Sequence, residues 1–182
     1  MYHISSEISI DILNKKETII LEDLFDISKV RNDTSEKLML LNEKIMQYGI
    51  ALTQKQAELI ASAELEHISE TERIVFGEAA SVGIVKKFAR SSFADESDFA
   101  ETAAELVGIF YTIKEETEDG ISDSELIEMM FDCFENMCGG SLEMLSGRGT
   151  EAICDAVRSG KELPESANDF SADFRWSDVY DD

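Results

Sequence analysis

The segment Glu64-Leu65-Glu66-His67 places a carboxylate and an imidazole three positions apart in a stretch with helical periodicity. In ferritin-like di-iron bundles this spacing turns both groups toward a metal pair, and two such motifs build the site. The only other histidine, His3, has no glutamate three positions before it. The sequence therefore predicts no metal here, and we interpret His67 as a partly exposed residue on a polar helix face.

The segment 115–125 resembles a calcium-binding EF-hand loop, since acids are followed by a glycine and a glutamate. With Gly120 at position 6, however, the bidentate glutamate of position 12 falls on Leu126, and Glu125 comes one residue early. The end of one helix and the start of the next explain the same residues, because Gly120 suits a helix end and Ser122 with Glu125 forms a capping box. We expect no tight calcium site, and weak binding by this acidic loop stays open.

The three cysteines, Cys133, Cys138 and Cys154, predict reduced and mostly buried thiols, since their number is odd. The five-residue spacing of Cys133 and Cys138 matches neither a CxxC redox pair nor a zinc knuckle. A nucleophilic Cys138 or Ser141 would need a base, and neither histidine is near in sequence. The sequence thus predicts no catalytic residue, no cofactor and no metal ligand.

Charge is the strongest signal, because 39 acids against 16 Lys and Arg residues give a net charge of −23. This balance argues against direct binding of nucleic acid and of anionic membranes. Residues 91–137 hold fourteen acids and one base, Lys114, a net charge of −13. We expect these acids to form a surface that attracts a basic protein. The predicted acidic surface comprises Glu101, Glu105, Glu115, Glu116, Glu118, Asp119, Glu128, Asp132 and Glu135.

Helices are the elements that would position these residues. Apolar stripes at helical spacing recur from residue 33 onward, and the only proline is Pro164. Asp33 or Thr34 is predicted to cap a first helix, whose apolar face carries Leu38, Leu41, Ile45 and Tyr48 and which ends at Gly49. Thr53 with Gln56 and Ser122 with Glu125 form capping boxes. The sequence predicts a mainly α fold, a compact bundle of about six helices.

The helices within residues 97–137 are predicted to fold back on each other as an antiparallel hairpin, since only residues 119–122 connect them. One stripe, which includes Met129, Met130 and Met137, is interpreted as core and not as a Met-rich binding groove. Glycines at 147 and 149 weaken or kink the next helical segment, 142–159. The predicted hairpin core comprises Phe99, Leu106, Phe110, Ile113, Leu126, Met130, Phe134 and Met137.

Three regions follow from these patterns. Residues 1–32 form an N-terminal element with an alternation that fits a small β-hairpin, residues 33–158 form the helical domain, and residues 159–182 form an acidic aromatic tail. The tail either docks its aromatic residues on the body, which we favour, or folds onto a partner. No signal peptide and no apolar run long enough to span a membrane is present, so we expect a cytoplasmic protein.

Three segments carry a resemblance to a known family: residues 42–53, 72–77 and 140–143. They resemble a family of uncharacterised bacterial proteins, a domain of unknown function common in anaerobic Gram-positive bacteria, over about residues 35–158. The resemblance implies a cytoplasmic bacterial protein with a mostly helical fold. It implies no activity, cofactor or site residues.

Three functions remain in competition at this point. The favoured one is a non-catalytic interaction module that binds a basic protein surface. The second is a nucleic-acid mimic that occupies the groove of a DNA- or RNA-binding protein, and the third is an enzyme with a carboxylate-based site. A mimic would show carboxylates in two rows, whereas an adaptor would show an apolar patch ringed by acids. The oligomeric state is left open, and it includes a homo-oligomer.

Overall fold

The computed structural model describes residues 28–70, 78–160 and 163, and these ranges contain six longer helices and no strand. None of the helices in these ranges is long and apolar enough to cross a membrane. The mainly α fold class is confirmed, while the predicted N-terminal hairpin and the acidic tail from residue 164 onward lie outside the described residues. In chain order the elements are a helix over 28–40 (α1), Asn42–Ile45 (α2), a 3-10 turn at Met46–Tyr48, Gln54–Glu70 (α3), Ala80–Phe88 (α4), Phe99–Glu116 (α5), Asp123–Asn136 (α6), Leu142–Met144 (α7), a π-helical turn at Leu145–Gly149 and Thr150–Ser159 (α8).

The first helix begins earlier than the sequence predicts. Residues 28–40 are helical throughout, so Asp33 and Thr34 lie inside α1 and the prediction that one of them caps it is wrong. The Ser35 hydroxyl donates to the Asn32 carbonyl at 3.0 Å, one turn back in the same helix. Small polar residues that resemble a cap can therefore be satisfied within a helix by its own carbonyls.

The end of this helical region follows the prediction only in part. The α-helix is interrupted at Leu41, and the chain then tightens into the 3-10 turn, which rotates Tyr48 off the apolar stripe and leaves it 46% exposed. Gly49 ends the turn with a φ of +81°, as predicted. The side-chain amide of Asn42 then holds Leu52 through two hydrogen bonds of 2.8 Å, which fixes the path into α3.

Both predicted capping boxes are present. At the start of α3, the Thr53 N–H donates to Gln56 Oε1 at 2.9 Å, and the Gln56 N–H donates to Thr53 Oγ1 at 3.3 Å. At the start of α6, Ser122 and Glu125 exchange the same pair of bonds. Each box satisfies two backbone donors that a helix start leaves without a partner.

Helix α5 packs mainly against α3 and α4, and α4 packs against α6 as well. Direct contact between α5 and α6 is slight, so the predicted face-to-face pairing of these two helices is wrong as the main contact. Seven of the eight predicted core residues are buried, since α4 and α5 turn their apolar stripes toward the same interior as α6. Met137 is only half-buried, so its assignment to the core is correct only in part. The predicted core residues found buried are Phe99, Leu106, Phe110, Ile113, Leu126, Met130 and Phe134.

The kink predicted in segment 142–159 is the π-helical turn between α7 and α8. A Cβ atom on Gly149 would lie 2.9 Å from Leu145 Cδ1 and 3.1 Å from Cys133 Sγ, so a side chain has no room there. The widened turn and the missing side chain bring this segment close to the end of α6.

Candidate functional site

The predicted acidic surface lies along α5, the connection to α6, and α6. Eight of its nine carboxylate residues are exposed, and Glu135 is half-buried. Two of the exposed acids form ion pairs with cations from other helices: Glu116 pairs with Arg158 of α8 at 3.0 Å, and Glu128 pairs with Lys87 of α4. These two carboxylates, which the sequence analysis assigns to the binding of a basic partner protein, are therefore neutralised within the protein.

Glu135 is also engaged, because it accepts hydrogen bonds from the hydroxyls of Ser91 and Ser92, the latter at 2.8 Å. Asp119 pairs with Lys114 at 3.3 Å. The acidic surface is therefore divided into internal contacts and free groups. The carboxylates without a hydrogen-bond or ion-pair partner in the part of the chain that the structure describes are Glu101, Glu105, Glu115, Glu118 and Asp132.

Lys114 is the lone base of segment 91–137, and it turns inward and is only 7% exposed. Its ammonium group donates to the Ile121 carbonyl at 2.8 Å and pairs with Asp123 at 2.9 Å, in addition to Asp119. Two carboxylates and a carbonyl are the ligand types of a calcium loop, and here they surround a lysine side chain. The connection is thus organised by an internal cation.

The residues that end α5 differ from the prediction. Glu118 and Asp119 hold the left-handed conformation, with φ values of 50° and 57°, so Gly120 is not the left-handed residue. Gly120 is needed for a different reason, because a Cβ atom there would lie 2.9 Å from the Thr117 carbonyl. Glu118 and Asp119 adopt this uncommon backbone conformation, and it places Asp119 beside Lys114.

Glu64 of the E-x-x-H motif, for which the sequence predicts no metal, is a buried carboxylate that is 2% exposed. It accepts hydrogen bonds from the Ala80 N–H at 2.7 Å, from the Ser81 hydroxyl, and from the Tyr111 hydroxyl at 3.1 Å. The residue at the N-cap of α4, Ala79, has no side chain that could accept these donors. Glu64 therefore caps α4 from a distance, where the helix dipole favours a negative charge.

His67 is half-buried, and its ring stacks on Tyr111 with 5.9 Å between the centroids. A Cβ atom on Gly108 would lie 3.1 Å from the His67 Nε2 atom, so the glycine leaves room for the ring. The structure thus joins both ends of the E-x-x-H motif to α5 and α4. Within the described ranges, no three His, Cys, Asp or Glu residues are grouped so that they could hold a metal ion.

The sulfur atoms of Cys133 and Cys138 lie 3.7 Å apart in the interior, a contact that sequence spacing does not suggest. The chain turns back at the end of α6, where the Cys138 N–H donates to the Cys133 carbonyl at 2.9 Å. The hydrogen bond between the thiols raises the pKa of Cys133 and lowers that of Cys138. Burial raises the pKa of Cys154. All three thiols are free and buried, as the sequence predicts.

Sequence reasoning missed a groove of about 670 Å³ between α2 with its 3-10 turn, α4 and the first half of α6. Its lining includes the buried apolar side chains of Ile45 and Ile127. A Cβ atom on Gly83 would lie 2.8 Å from Ile127 Cδ1, so the glycine allows Ile127 of α6 to approach α4 closely. Four of the chain's 16 Lys and Arg residues also line it: Lys44, Lys86, Lys87 and Arg90.

Only one of the four groove cations has a carboxylate partner in the described part of the protein. Lys87 pairs with Glu128 and lies 4.6 Å from the centroid of the Phe131 ring. Of the other two acids that line the groove, Asp123 is bound by Lys114, and Glu78 forms no ion pair with a described residue. The groove therefore holds a surplus of free positive charge on a strongly acidic protein.

The chain belongs to the family of unknown function DUF6323, which matches it over residues 37–163. This range contains nearly all of the segment in which the sequence resembles a domain of unknown function, so that resemblance is confirmed at the level of the family. The bacterial source and the cytoplasmic location that the resemblance implies stay predictions. No curated protein and no solved structure matches the chain.

Proposed function

We propose that this DUF6323 protein is a non-catalytic interaction module that binds a basic protein surface through α5 and the α5–α6 connection. The observation that carries the proposal is the inward position of Lys114. Because the one base of segment 91–137 is buried and paired with Asp119 and Asp123, it is not available to neutralise the other exposed carboxylates of the segment. These carboxylates remain available to cations of a partner.

Most of these acids lie along about four helical turns of α5 and in the connection that follows, and Asp132 lies on α6. Glu105 and Glu115 are exposed on α5, and Glu118 is exposed in the connection. Carboxylates spread over such a length produce a field that steers a basic partner and speeds its association. Salt at about 1 M shortens the screening length to about 3 Å, so binding of this kind is lost at high salt.

The internal pairing favours an adaptor over a nucleic-acid mimic. Glu116 and Glu128, which a mimic would need in its rows of negative charge, are neutralised by Arg158 and Lys87. Near Glu135, the Phe93 side chain is 48% exposed and follows the serines that bind that carboxylate. An exposed aromatic ring beside acids suits a protein partner, because it adds apolar contact area to the charge.

The proposal is tested with the double variant Glu115→Lys with Glu118→Lys. The full-length chain is immobilised, and proteins from the native cell are captured at low salt and at high salt. We expect a partner that the wild type holds at low salt, that high salt releases, and that the double variant fails to hold.

The matched control is Glu36→Lys with Glu43→Lys, which makes the same change in net charge at exposed positions of α1 and α2. The control should hold the same partner as the wild type. Equal loss in both variants would show that only the total charge matters, and capture of no partner at either salt would refute the proposal.

A further inference from the structure

The groove between α2, α4 and α6 calls for a ligand with two properties. Three of its cations, Lys44, Lys86 and Arg90, have no carboxylate partner among the described residues, so a ligand that supplies carboxylates gains charge-assisted hydrogen bonds. Tyr48, which also lines the groove and is 46% exposed, gains from a ligand that covers its ring with apolar area. An acidic segment with aromatic side chains meets both demands.

The chain itself contains such a segment at its C-terminal end. Residues 164–182 hold six acids and one base, Arg175, a net charge of −5. Among 19 residues there are four aromatic side chains, and Trp176 is the only tryptophan of the protein. The aromatic side chains of this tail are Phe170, Phe174, Trp176 and Tyr180.

The described chain leaves the body next to the groove. Helix α8 ends at Ser159, and Gly160 lines a second, shallower groove that also includes Ser124 and Glu128 of α6. Those two residues line the cation groove as well, so the two grooves meet across the first half of α6. Leu163, directly before the tail, packs against the core.

The length of the tail is sufficient for this path. An extended chain spans at most about 3.3–3.6 Å per residue, so 19 residues reach up to about 60 Å. A helix with its side chains is about 10–12 Å thick, and only α6 has to be crossed. The tail can therefore reach the cation groove and lie along it.

We infer that the acidic aromatic tail, residues 164–182, docks in the cation groove of its own chain. Its carboxylates pair with Lys44, Lys86 and Arg90, and its aromatic rings cover the exposed ring of Tyr48. This inference is independent of the proposed function, which concerns the negative surface of α5 and the connection after it.

Docking within one chain has a consequence for other ligands. A covalently linked segment acts at an effective concentration of about millimolar for a short flexible linker. An external acidic aromatic peptide therefore has to displace the tail before it can bind.

Trp176 reports on this docking in the full-length protein, because no other residue contributes tryptophan fluorescence. In the wild type we expect blue-shifted emission and protection from quenching by acrylamide. The variant Lys86→Glu with Arg90→Glu should shift the emission to that of solvent-exposed tryptophan and raise the quenching constant several-fold. The milder variant Lys86→Gln with Arg90→Gln should give a smaller change in the same direction.

The matched control is Lys37→Glu with Lys55→Glu, which makes the same change in net charge at exposed positions of α1 and α3. Its emission and quenching should equal those of the wild type, and unchanged helical circular dichroism shows that each variant folds. Solvent-exposed emission in the wild type, or protection that survives both groove variants, would overturn the inference. Protection that increases with protein concentration would also overturn it, since the tail would then bind a second copy.

Discussion

The negative side of the protein and the cation groove use charge in opposite ways. On the negative side, the single base Lys114 is buried among acids, and free carboxylates remain outside. In the groove, the pairing of Lys87 with Glu128 accounts for one cation, and the other three cations have no carboxylate partner among the residues that the structure describes. In each region, therefore, a few charged side chains are paired within the protein, and most of the charges of the prevailing sign have no partner among the described residues.

The net charge of a sequence segment therefore differs from the charge of the surface that the segment forms. Helix α6 contributes to both regions, since Glu128 lies in the groove while Asp132 belongs to the negative side. The charge that a ligand meets is what remains after tertiary pairing.

The largest effect is expected for Phe134→Ala, which removes the core beneath both regions. The ring is 3% exposed and packs edge-on against Phe88 at 5.5 Å between centroids. Truncation of a buried phenylalanine costs about 3–5 kcal/mol in the free energy of unfolding. Urea denaturation measures this loss. Phe93→Ala, whose ring is 48% exposed, is the control and should cost much less; equal costs would contradict the assignment of Phe134 to the core.

Glu64→Ala should rank next, because it removes the acceptor at the start of α4, the helix that carries two of the groove cations, Lys86 and Lys87. The donors of Ala80, Ser81 and Tyr111 would stay buried without this partner. A cost of about 3 kcal/mol in the free energy of unfolding is expected from unpaired buried donors. Glu64→Gln keeps an acceptor oxygen and should cost less. A silent Glu64→Ala variant would refute the remote cap.

Lys114→Met keeps the length of the buried stem and removes the ammonium group from the acidic connection. Hydrogen bonds to a charged group contribute about 1.5–3 kcal/mol, so the free energy of unfolding should fall by about 2 kcal/mol. The repulsion between Asp119 and Asp123 then goes uncompensated, so added salt should restore part of the stability. Lys55→Met on the exposed face of α3 is the control. A loss of stability that does not respond to salt would argue against the internal-cation role.

Ser122→Ala tests the cap that begins α6 at the border between the regions. Loss of a serine cap costs about 1 kcal/mol. Hydrogen bonds from the Ser122 side chain and backbone hold the pKa of Glu125 below its usual value. The stabilisation from this group is therefore present above the unfolded-state pKa and is lost as pH falls through the folded-state pKa. NMR titration should show the Glu125 pKa move up in the variant; an unchanged pKa would contradict the box.

The smallest effect on stability is expected for Glu115→Lys with Glu118→Lys. Both side chains are exposed and unpaired within the described residues, and their reversal relieves repulsion between like charges. Thermal unfolding should give a change within about 0.5 kcal/mol, as for ordinary surface substitutions, or a gain in stability. Strong destabilisation would show that these carboxylates serve the fold and are not free for a partner.

The helices and their caps could be predicted because their causes are local. Thr53 and Gln56, or Ser122 and Glu125, are three residues apart, so a pattern in the sequence is enough to identify each box. Burial of Phe134 and Met130 follows from the same short period. The start of α1 could not be predicted, because small polar residues resemble a cap whether they lie at the start of a helix or inside it.

The candidate sites depended on longer distances along the chain. A short basic run, Lys86-Lys87-Phe88-Ala89-Arg90, is visible in the sequence. The sequence does not show that this run lies in one groove with Lys44 and with the side chains of Ile45 and Ile127. The Cys133–Cys138 contact likewise requires the turn at the end of α6. No local period encodes such neighbours, since they depend on how the helices pack.

The sequence by itself determined that this protein is helical, strongly acidic and built around a stripe-lined core, because charge is additive and helical periodicity acts within four residues. Only the tertiary structure decided which charges remain free. Glu64 meets Tyr111 across 47 positions, and Lys87 meets Glu128 across 41. Helix packing decides which of the many charged and polar side chains become partners. The unpaired cations of the groove and the unpaired acids of α5 and α6 are the groups that packing leaves without a partner among the described residues.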